Sequence, residues 1–267
     1  QFANPYLALG NSPVNGIDPN GEFFEIFGLI NLFTNKKAGH VDGFGSAVKA
    51  YTAGFLSAML RPVESIVKAD IATKVAHVNS LIGAIGGNWD RVGMSNRLAA
   101  GLFHYDNNLP LGEQVQSGLM REFEGFQDFL GYGYAQFNIT AGTATRVDYF
   151  GGATFTTTEG DNRHYDGVTL GRYISIRTPF TINTSFNEYV RSTPLFMHEY
   201  GHVLDSRWAS GPLYILQTAI PSLLTVNSDN HNFHWHERKA NILASQYFRY
   251  YYGIDWDDEE NPRFPRR

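Results

Sequence analysis

The chain has 267 residues, 43% of them hydrophobic and 15% aromatic, so it can bury a substantial core as one domain or as a domain with a helical extension. Its formal net charge is −5, and Lys and Arg do not cluster before Arg263, Arg266 and Arg267, which argues against nucleic-acid binding. Cysteine is absent, which excludes disulfides and thiolate metal sites, and no apolar run reaches the roughly 18 residues of a transmembrane helix. We therefore predict no nucleic-acid partner and no stable membrane span.

Residues 1–25 form a row of turn signals built on Asn, Pro, Asp and Gly. They resemble the C-terminal end of an RHS repeat-associated core, with Ser12 and Asn20 as departures. The matching positions are Asn4, Pro5, Tyr6, Asn11, Pro13, Val14, Asp18, Pro19, Gly21 and Glu22. In RHS proteins this core closes a shell of YD repeats and precedes a variable C-terminal domain that is often a toxin. The resemblance implies that the chain is the tail of a larger bacterial protein, secreted or at the cell surface.

Residues 26–140 predict a mainly helical region packed on the catalytic part that follows. Residues 53–87 predict two helices divided near Pro62, and residues 113–131 predict a third. Charged side chains interrupt the apolar stretches at Arg61, Glu64, Lys68, Asp70 and Lys74. These charges favour helices packed in a core over helices that insert into a membrane.

Residues 146–159 and 168–182 predict strands, joined by a polar hairpin around Gly160 and Asp161. Strands that precede a metal-binding helix can supply an edge that binds an extended peptide by main-chain pairing. We assign that role to the strand that contains Tyr173 and Ile176.

The following segment contains His198, Glu199 and His202, which form the pattern His-Glu-x-x-His. Thr193 and Pro194 predict the start of a helix, so both histidines lie on one helix face and can reach one metal ion. Glu199, beside the first histidine, can take a proton from a water molecule that zinc has acidified. The pattern predicts peptide hydrolysis with Zn²⁺ as cofactor and Glu199 as catalytic residue.

A catalytic zinc site normally has three protein ligands, so a third donor is needed. From Trp235 onward the sequence predicts a second helix, on which four residues form one stripe: Glu237, Asn241, Ala244 and Phe248. Glu237 is the preferred third ligand, and Asn241 can hold the second ring nitrogen of a ligand histidine. The alternative donors are His231, His234 and His236.

Glu237, Ala240 and Asn241 resemble the Glu-x-x-Ser/Ala-Asp pattern of the gluzincins, the thermolysin-like peptidases. The resemblance implies Glu199 as the general base and Asn241 as the residue that orients the first histidine, where the family has Asp. It implies the metal ligands His198, His202 and Glu237. Candidates for stabilising the oxyanion or contacting substrate are Tyr214, Tyr247, His234 and His236.

The stretch from about residue 146 to residue 248 resembles the metallopeptidase tails found behind RHS cores. The predicted fold class is therefore α+β and zincin-like: a small mixed sheet, an active-site helix, a second ligand helix and an N-terminal mainly helical region. The predicted divisions are residues 1–25 for the RHS core end, 26–140 for the helical region and 141–267 for the catalytic region.

The predicted function is a zinc metalloendopeptidase that acts as the effector or toxin tail of a secreted RHS protein. Its expected partners are a protein or peptide substrate, an immunity protein and the remainder of the RHS polypeptide. Two alternatives stay open. The chain could be a zinc-stabilised binding or structural domain with weak catalysis, as the neutral Asn241 hints, or a peptidase that processes its own RHS polypeptide.

Overall fold

The computed structural model of the protein describes residues 22–60, 62–120, 125–208, 214–225, 230–259 and 261–266. The RHS-like segment, residues 1–25, lies outside the described residues except for its end, which begins the first helix. The chain divides into two compact units, residues 1–119 and residues 120–267, and each unit is described by itself.

The described part of the first unit is helical. Its helices are α1 (Glu22–Lys37), α2 (Phe44–Leu60), α3 (Pro62–Ile85), α4 (Trp89–Ala100) and α5 (Leu111–Met120), with a 3-10 turn at Gly101–Phe103. The predicted division near Pro62 is confirmed, since this proline is the first residue of α3, where its missing N–H costs no helical hydrogen bond. Helices α1 and α2 approach closely at Gly54, where a Cβ atom would lie 2.5 Å from the Phe27 carbonyl oxygen.

The second unit combines helices with a sheet, which confirms the predicted α+β class. Its elements are α6 (Gly125–Thr140), β1 (Arg146–Phe150), β2 (Ala153–Glu159), β3 (Asp166–Leu170), β4 (Tyr173–Thr178), α7 (Phe186–Ser192), α8 (Pro194–Trp208), a π-helix (Ile215–Ala219), α9 (Ile220–Thr225), a 3-10 turn (His231–Phe233) and α10 (Trp235–Tyr252). The predicted helix start at Pro194 is confirmed, and so is the second helix from Trp235 onward. Helix α10 ends at Gly253, whose φ of 66° lies in the left-handed region that favours glycine.

The sheet has four strands in the order β1-β2-β4-β3. Strand β1 is antiparallel to β2, β2 is parallel to β4, and β3 is antiparallel to β4, so the sheet is mixed as predicted. The predicted hairpin around Gly160 and Asp161 is wrong, because β4 lies between β2 and β3. Each predicted strand run contains two strands, since positive φ values at Gly151, Gly152 and Gly171 turn the chain.

The strand assigned to substrate is an interior strand. Tyr173 of β4 pairs with Thr154 on one side and with Leu170 on the other, so the main-chain groups of β4 are already used. The prediction that this strand binds an extended peptide is therefore wrong. The edge on this side of the sheet is β3, which contacts helix α8.

Helix α6 is fixed on the sheet by a buried ion pair and a close contact. The predicted helix over 113–131 covers parts of both α5 and α6, and α6 continues to Thr140. Gly131 does not end it but lets it approach the sheet, since a Cβ atom there would lie 2.3 Å from the Leu170 carbonyl oxygen. The Asp128 carboxylate accepts hydrogen bonds from Arg172 N and Nε, each 2.8 Å long. Helix α6 thus belongs to the second unit, whereas the sequence grouped it with residues 26–140.

An aromatic core joins α7, α8 and α10 to the sheet. Buried rings in it include Phe150, Phe155, Phe186, Phe196, Tyr200, Tyr247 and Phe248. Helix α8 is buried around its whole circumference from Leu195 to Ser206. The Tyr200 hydroxyl donates to the Gly151 carbonyl oxygen over 2.9 Å, which ties α8 to the β1–β2 turn. Burial of each such ring contributes about 1.5–3 kcal/mol and fixes α8 relative to the sheet.

No helix in the described part of the chain is long and apolar enough to cross a bilayer.

Candidate metal centre

The site lies where α8 and α10 pack together. Gly201 of α8 faces Ala240 of α10, and a Cβ atom at Gly201 would lie 2.1 Å from the Ala240 carbonyl oxygen. The predicted stripe on α10 is confirmed: Glu237, Asn241, Ala244 and Phe248 are all at most 2% exposed. A glycine on one helix and an alanine on the other therefore bring the side chains of the two helices within reach of one metal ion.

His198, His202 and Glu237 converge on one point. The Glu237 Oε2 atom lies 3.2 Å from His198 Nε2 and 3.1 Å from His202 Nε2. In a tetrahedral zinc site with bonds of about 2.1 Å, neighbouring donors are about 3.4 Å apart. All three side chains are buried, and they form a group that could hold a metal ion. Their donor set, two imidazoles and one carboxylate, suits zinc.

Asn241 fixes the tautomer of His198. The Asn241 Nδ2 amide donates to the Pro265 carbonyl oxygen over 2.8 Å, so its Oδ1 atom is the one that faces His198. That Oδ1 atom lies 2.7 Å from His198 Nδ1 and accepts a hydrogen bond from it. His198 Nε2 is therefore left with a lone pair that points at the Glu237 carboxylate, as a metal ligand requires.

The electrostatics of the site favour a positive charge between these groups. Burial disfavours the charged form of the His202 imidazole, but the Glu237 carboxylate outweighs burial and raises the pKa of His202 to about 9. Burial also opposes ionisation of Glu237, yet the imidazoles of His202 and His198 hold the pKa of its carboxyl well below the ordinary value. A carboxylate anion that draws a proton to its neighbour would also attract a metal cation.

Glu199 is held against the edge strand β3. The Thr169 hydroxyl donates to Glu199 Oε2 over 2.6 Å and lies 3.1 Å from the Glu199 carbonyl oxygen. Gly167 leaves room for the carboxylate, because a Cβ atom there would lie 2.5 Å from both Cδ and Oε1 of Glu199. Glu199 is only 5% exposed. One oxygen of its carboxylate is thus bonded to Thr169, and the other lies against Gly167.

A second group of donors surrounds the other oxygen of Glu237. Glu237 Oε1 lies 3.4 Å from His231 Nε2 and 3.3 Å from His236 Nε2, and these three residues could also hold a metal ion. The Ser222 hydroxyl donates to the same oxygen over 2.7 Å. Burial lowers the pKa of both His231 and His236, which favours the neutral imidazole that binds metals.

Asp205 follows His202 closely in sequence but has other partners. Its Oδ2 atom accepts a hydrogen bond of 3.0 Å from the Thr218 hydroxyl, and its Oδ1 atom lies 2.5 Å from Lys239 Nζ. Asp205 is fully buried, and its negative charge helps to raise the pKa of His202. Its carboxylate therefore influences the site from outside the two donor groups.

The remaining predicted site residues have different surroundings. Tyr247 is in the aromatic core, with its ring centroid 4.8 Å from that of Tyr200, and Tyr214 is 2% exposed. His234 precedes the first residue of α10 and stacks on His236 at 5.6 Å between ring centroids. Of the four oxyanion or substrate candidates, His236 is the one in the donor groups around Glu237.

Three contacts of the site carry no sequence signal. Thr169, Ser222 and Pro265 reach it from a strand, a short helix and the C-terminal segment. Neither spacing nor residue type marks them, since Thr, Ser and Pro are common in turns and strands. Only the fold brings them to Glu199, Glu237 and Asn241.

Comparison of the chain with family models, with curated proteins and with solved structures gives no match. The chemistry of the site is therefore the basis for a function.

Proposed function

We propose that the protein is a zinc-dependent metalloendopeptidase. One observation carries the proposal: buried His198, His202 and Glu237 present three donor atoms at zinc-like spacing, and Glu199 follows His198 directly in the sequence. The two-histidine-one-carboxylate set leaves a coordination position for water or substrate, which distinguishes catalytic zinc sites from closed structural ones.

Held by His198, His202 and Glu237, a zinc ion would supply an acidified water as nucleophile and a Lewis acid for the substrate carbonyl. Glu199 receives the proton of the attacking water at its carboxylate and then delivers it to the leaving amine. Thr169 holds the Glu199 carboxylate in place through Oε2, and the bare Cα of Gly167 lets it lie close to the strand. Asn241 keeps His198 in the tautomer that binds metal.

An extended peptide has a place to bind at the edge strand β3. Within the part of the chain that the structure describes, this strand pairs with β4 on one side only, and Val168 is 45% exposed. Peptides add to such edges by main-chain hydrogen bonds. Because Gly167 and Thr169 of the same strand contact Glu199, a peptide on β3 would lie next to the general base.

The biological setting that we propose is the effector tail of a secreted RHS-family protein. The support is the RHS-like sequence of residues 1–25, which is followed in the same chain by the His-Glu-x-x-His pattern. The substrate would then be a protein of a competitor or host, and an immunity protein would protect the producer.

The Glu199→Gln variant tests the proposed catalysis. It keeps the size of the side chain but removes the base, so we expect normal zinc content and a loss of peptide cleavage of about 10²–10⁴-fold. Cleavage of unfolded protein substrates is measured by mass spectrometry, with zinc content measured on the same samples. The control is Glu259→Gln, which changes an exposed carboxylate of the same unit and leaves cleavage unchanged.

Full cleavage activity in Glu199→Gln would reject this mechanism. Zinc bound by the unmodified protein without any cleavage would instead favour the binding or structural domain. If a longer RHS polypeptide is cut next to this unit only when Glu199 is present, the peptidase processes its own chain.

A further inference from the structure

We infer that the site holds two metal ions, with the Glu237 carboxylate as the bridge between them. The first ion is bound by His198, His202 and Glu237 Oε2. The second is bound by His231, His236 and Glu237 Oε1. This inference rests on the metal site of the proposed function and extends it by a second ion, but it does not require peptidase activity.

The four imidazoles divide between the two oxygens of one carboxylate. His198 and His202 face Oε2 at 3.2 and 3.1 Å, and His231 and His236 face Oε1 at 3.4 and 3.3 Å. Both sets have the spacing of neighbouring ligands in a tetrahedral zinc site, about 3.4 Å. A carboxylate that gives one oxygen to each of two metals is the bridge that brings metal ions to about 3.5–4 Å in two-metal hydrolases.

The tautomer of His231 directs a lone pair into the second group. The Thr225 hydroxyl donates to the Pro221 carbonyl oxygen over 2.8 Å, and it lies 3.0 Å from His231 Nδ1. With its single proton used in that way, the hydroxyl accepts a hydrogen bond from His231 Nδ1. In the neutral imidazole, His231 Nε2 then presents a lone pair to the second donor group, as a metal ligand does.

His236 supplies an independent observation. Its side chain is 1% exposed, yet neither ring nitrogen has a hydrogen-bond partner among the described residues. An imidazole that is buried without a partner loses its hydration and gains nothing in exchange, which is costly. Its Nε2 atom lies 3.3 Å from Glu237 Oε1, so a metal ion bound there would satisfy it.

Ser222 supports the bridging role of Glu237. Its hydroxyl donates to Oε1 over 2.7 Å and so orients the carboxylate plane, while a second lone pair of that oxygen remains for a metal. A polar partner behind a ligand carboxylate is typical of metal sites, where it fixes the direction of the donor.

Metal stoichiometry tests the inference. The purified protein is saturated with Zn²⁺, freed of loosely bound metal on a chelating resin, and analysed by elemental mass spectrometry. We expect two zinc ions per chain in the unmodified protein and one in His231→Ala and in His236→Ala. The control His77→Ala removes an exposed imidazole of the first unit and should keep two.

The folding of each variant is checked by circular dichroism. The ring of His236 is buried, so its loss leaves a cavity that destabilises the fold. The His231 side chain is 21% exposed. If His236→Ala does not fold, His231→Ala therefore gives the number of zinc ions per chain. One zinc ion in the saturated unmodified protein would overturn the inference. Two zinc ions in His231→Ala would overturn it as well.

A spectroscopic measurement tests the bridge itself. With Mn²⁺ in place of zinc, two ions that share the Glu237 carboxylate give a spin-coupled electron paramagnetic resonance signal, and His231→Ala returns the signal of an isolated ion. Two bound ions with uncoupled signals would reject the bridge. Two zinc ions without peptide cleavage would reject the proposed function and leave this inference standing, while one zinc ion with cleavage would do the reverse.

Discussion

At the scale of single residues, Asn241 is better matched to its surroundings than an aspartate would be. It accepts a hydrogen bond from His198 Nδ1 and donates one to the Pro265 carbonyl oxygen, whereas a carboxylate can only accept. The sequence alone suggests that Asn at this position weakens the catalyst. The structure explains the asparagine differently. An aspartate at this position would place a negatively charged oxygen against the Pro265 carbonyl oxygen.

We therefore expect Asn241→Asp to be destabilised by about 1–3 kcal/mol, the cost of leaving a buried acceptor without a partner. Asn241→Ala should bind zinc about 10–100-fold more weakly, since His198 loses its orienting partner. Urea unfolding measures the first effect and competition with a chromophoric chelator the second. Gln246→Ala, on the exposed side of the same helix, should change neither quantity. An Asn241→Asp variant as stable as the unmodified protein would contradict this account.

Gly167 makes room for the Glu199 carboxylate because it has no side chain. Gly167→Ala should therefore push the carboxylate away and reduce cleavage by about 10²–10⁴-fold, the usual contribution of a general base. Zinc content should stay normal, because Gly167 contacts no ligand atom among its nearest neighbours. Gly133→Ala on α6, whose added Cβ would meet nothing within 4 Å, is the control. Unchanged kinetics in Gly167→Ala would show that Glu199 does not need this contact.

The residues that could hold a metal ion were predictable from the sequence, and the contacts that support them were not. His198 and His202 are four residues apart on one helix, so their spacing alone places them together. Glu237 follows from the same periodicity on a second helix. Thr169 lies 30 positions before Glu199, and Pro265 lies 24 positions after Asn241. Such contacts depend on strand order and on the path of the C-terminal segment, which local patterns do not encode.

At the scale of elements, the approach of α8 to α10 decides whether the metal site exists. Helix α8 brings His198 and His202, and α10 brings Glu237 and Asn241. Gly201 and Ala240 are the contact that sets the separation of the two helix axes. A metal ion tolerates only small changes in the distance between its ligands, so this contact controls affinity from outside the donor groups.

Gly201→Ala should separate the two helices. The added methyl group would lie 2.1 Å from the Ala240 carbonyl oxygen, and such overpacking costs about 1–3 kcal/mol. We expect lower thermal stability together with weaker zinc binding. Gly133→Ala on α6 is the matched control, because nothing lies within 4 Å of its added Cβ and the loss of backbone freedom should stabilise the helix by about 0.5–1 kcal/mol. Normal zinc affinity in Gly201→Ala would show that metal binding does not depend on the contact between Gly201 and Ala240.

The strand order of the sheet was not predictable from the sequence. Alternating residues identified strand-forming stretches, but the pairing of β2 with β4 joins segments that are not consecutive in the chain. A hairpin is the usual arrangement of neighbouring strands, and the pattern of side chains does not distinguish it from a crossover. Mistaking β4 for an edge strand followed directly from that error.

At the scale of the whole molecule, the metal should stabilise the second unit. A ligand that binds only the folded state adds about 2.7 kcal/mol at 100 times its dissociation constant. We expect EDTA to lower the melting temperature and zinc to restore it. Tryptophan fluorescence is a suitable signal, since Trp208, Trp235 and Trp256 belong to this unit and only Trp89 to the first. Glu237→Ala should abolish the response to zinc; a zinc-independent melting temperature in the unmodified protein would contradict metal binding.

The contact of β3 with Glu199 has a kinetic consequence. In the proposed mechanism β3 would bind a peptide along its outer edge, and Thr169 and Gly167 of the same strand lie against the Glu199 carboxylate. A peptide that pairs along the whole of β3 would hold the strand, and with it the Glu199 carboxylate, in a fixed position. A short peptide would leave the strand more mobile. Binding energy gained several residues away from the scissile bond would then raise kcat as well as lower KM. Longer peptides would therefore be cleaved with a higher kcat than short ones.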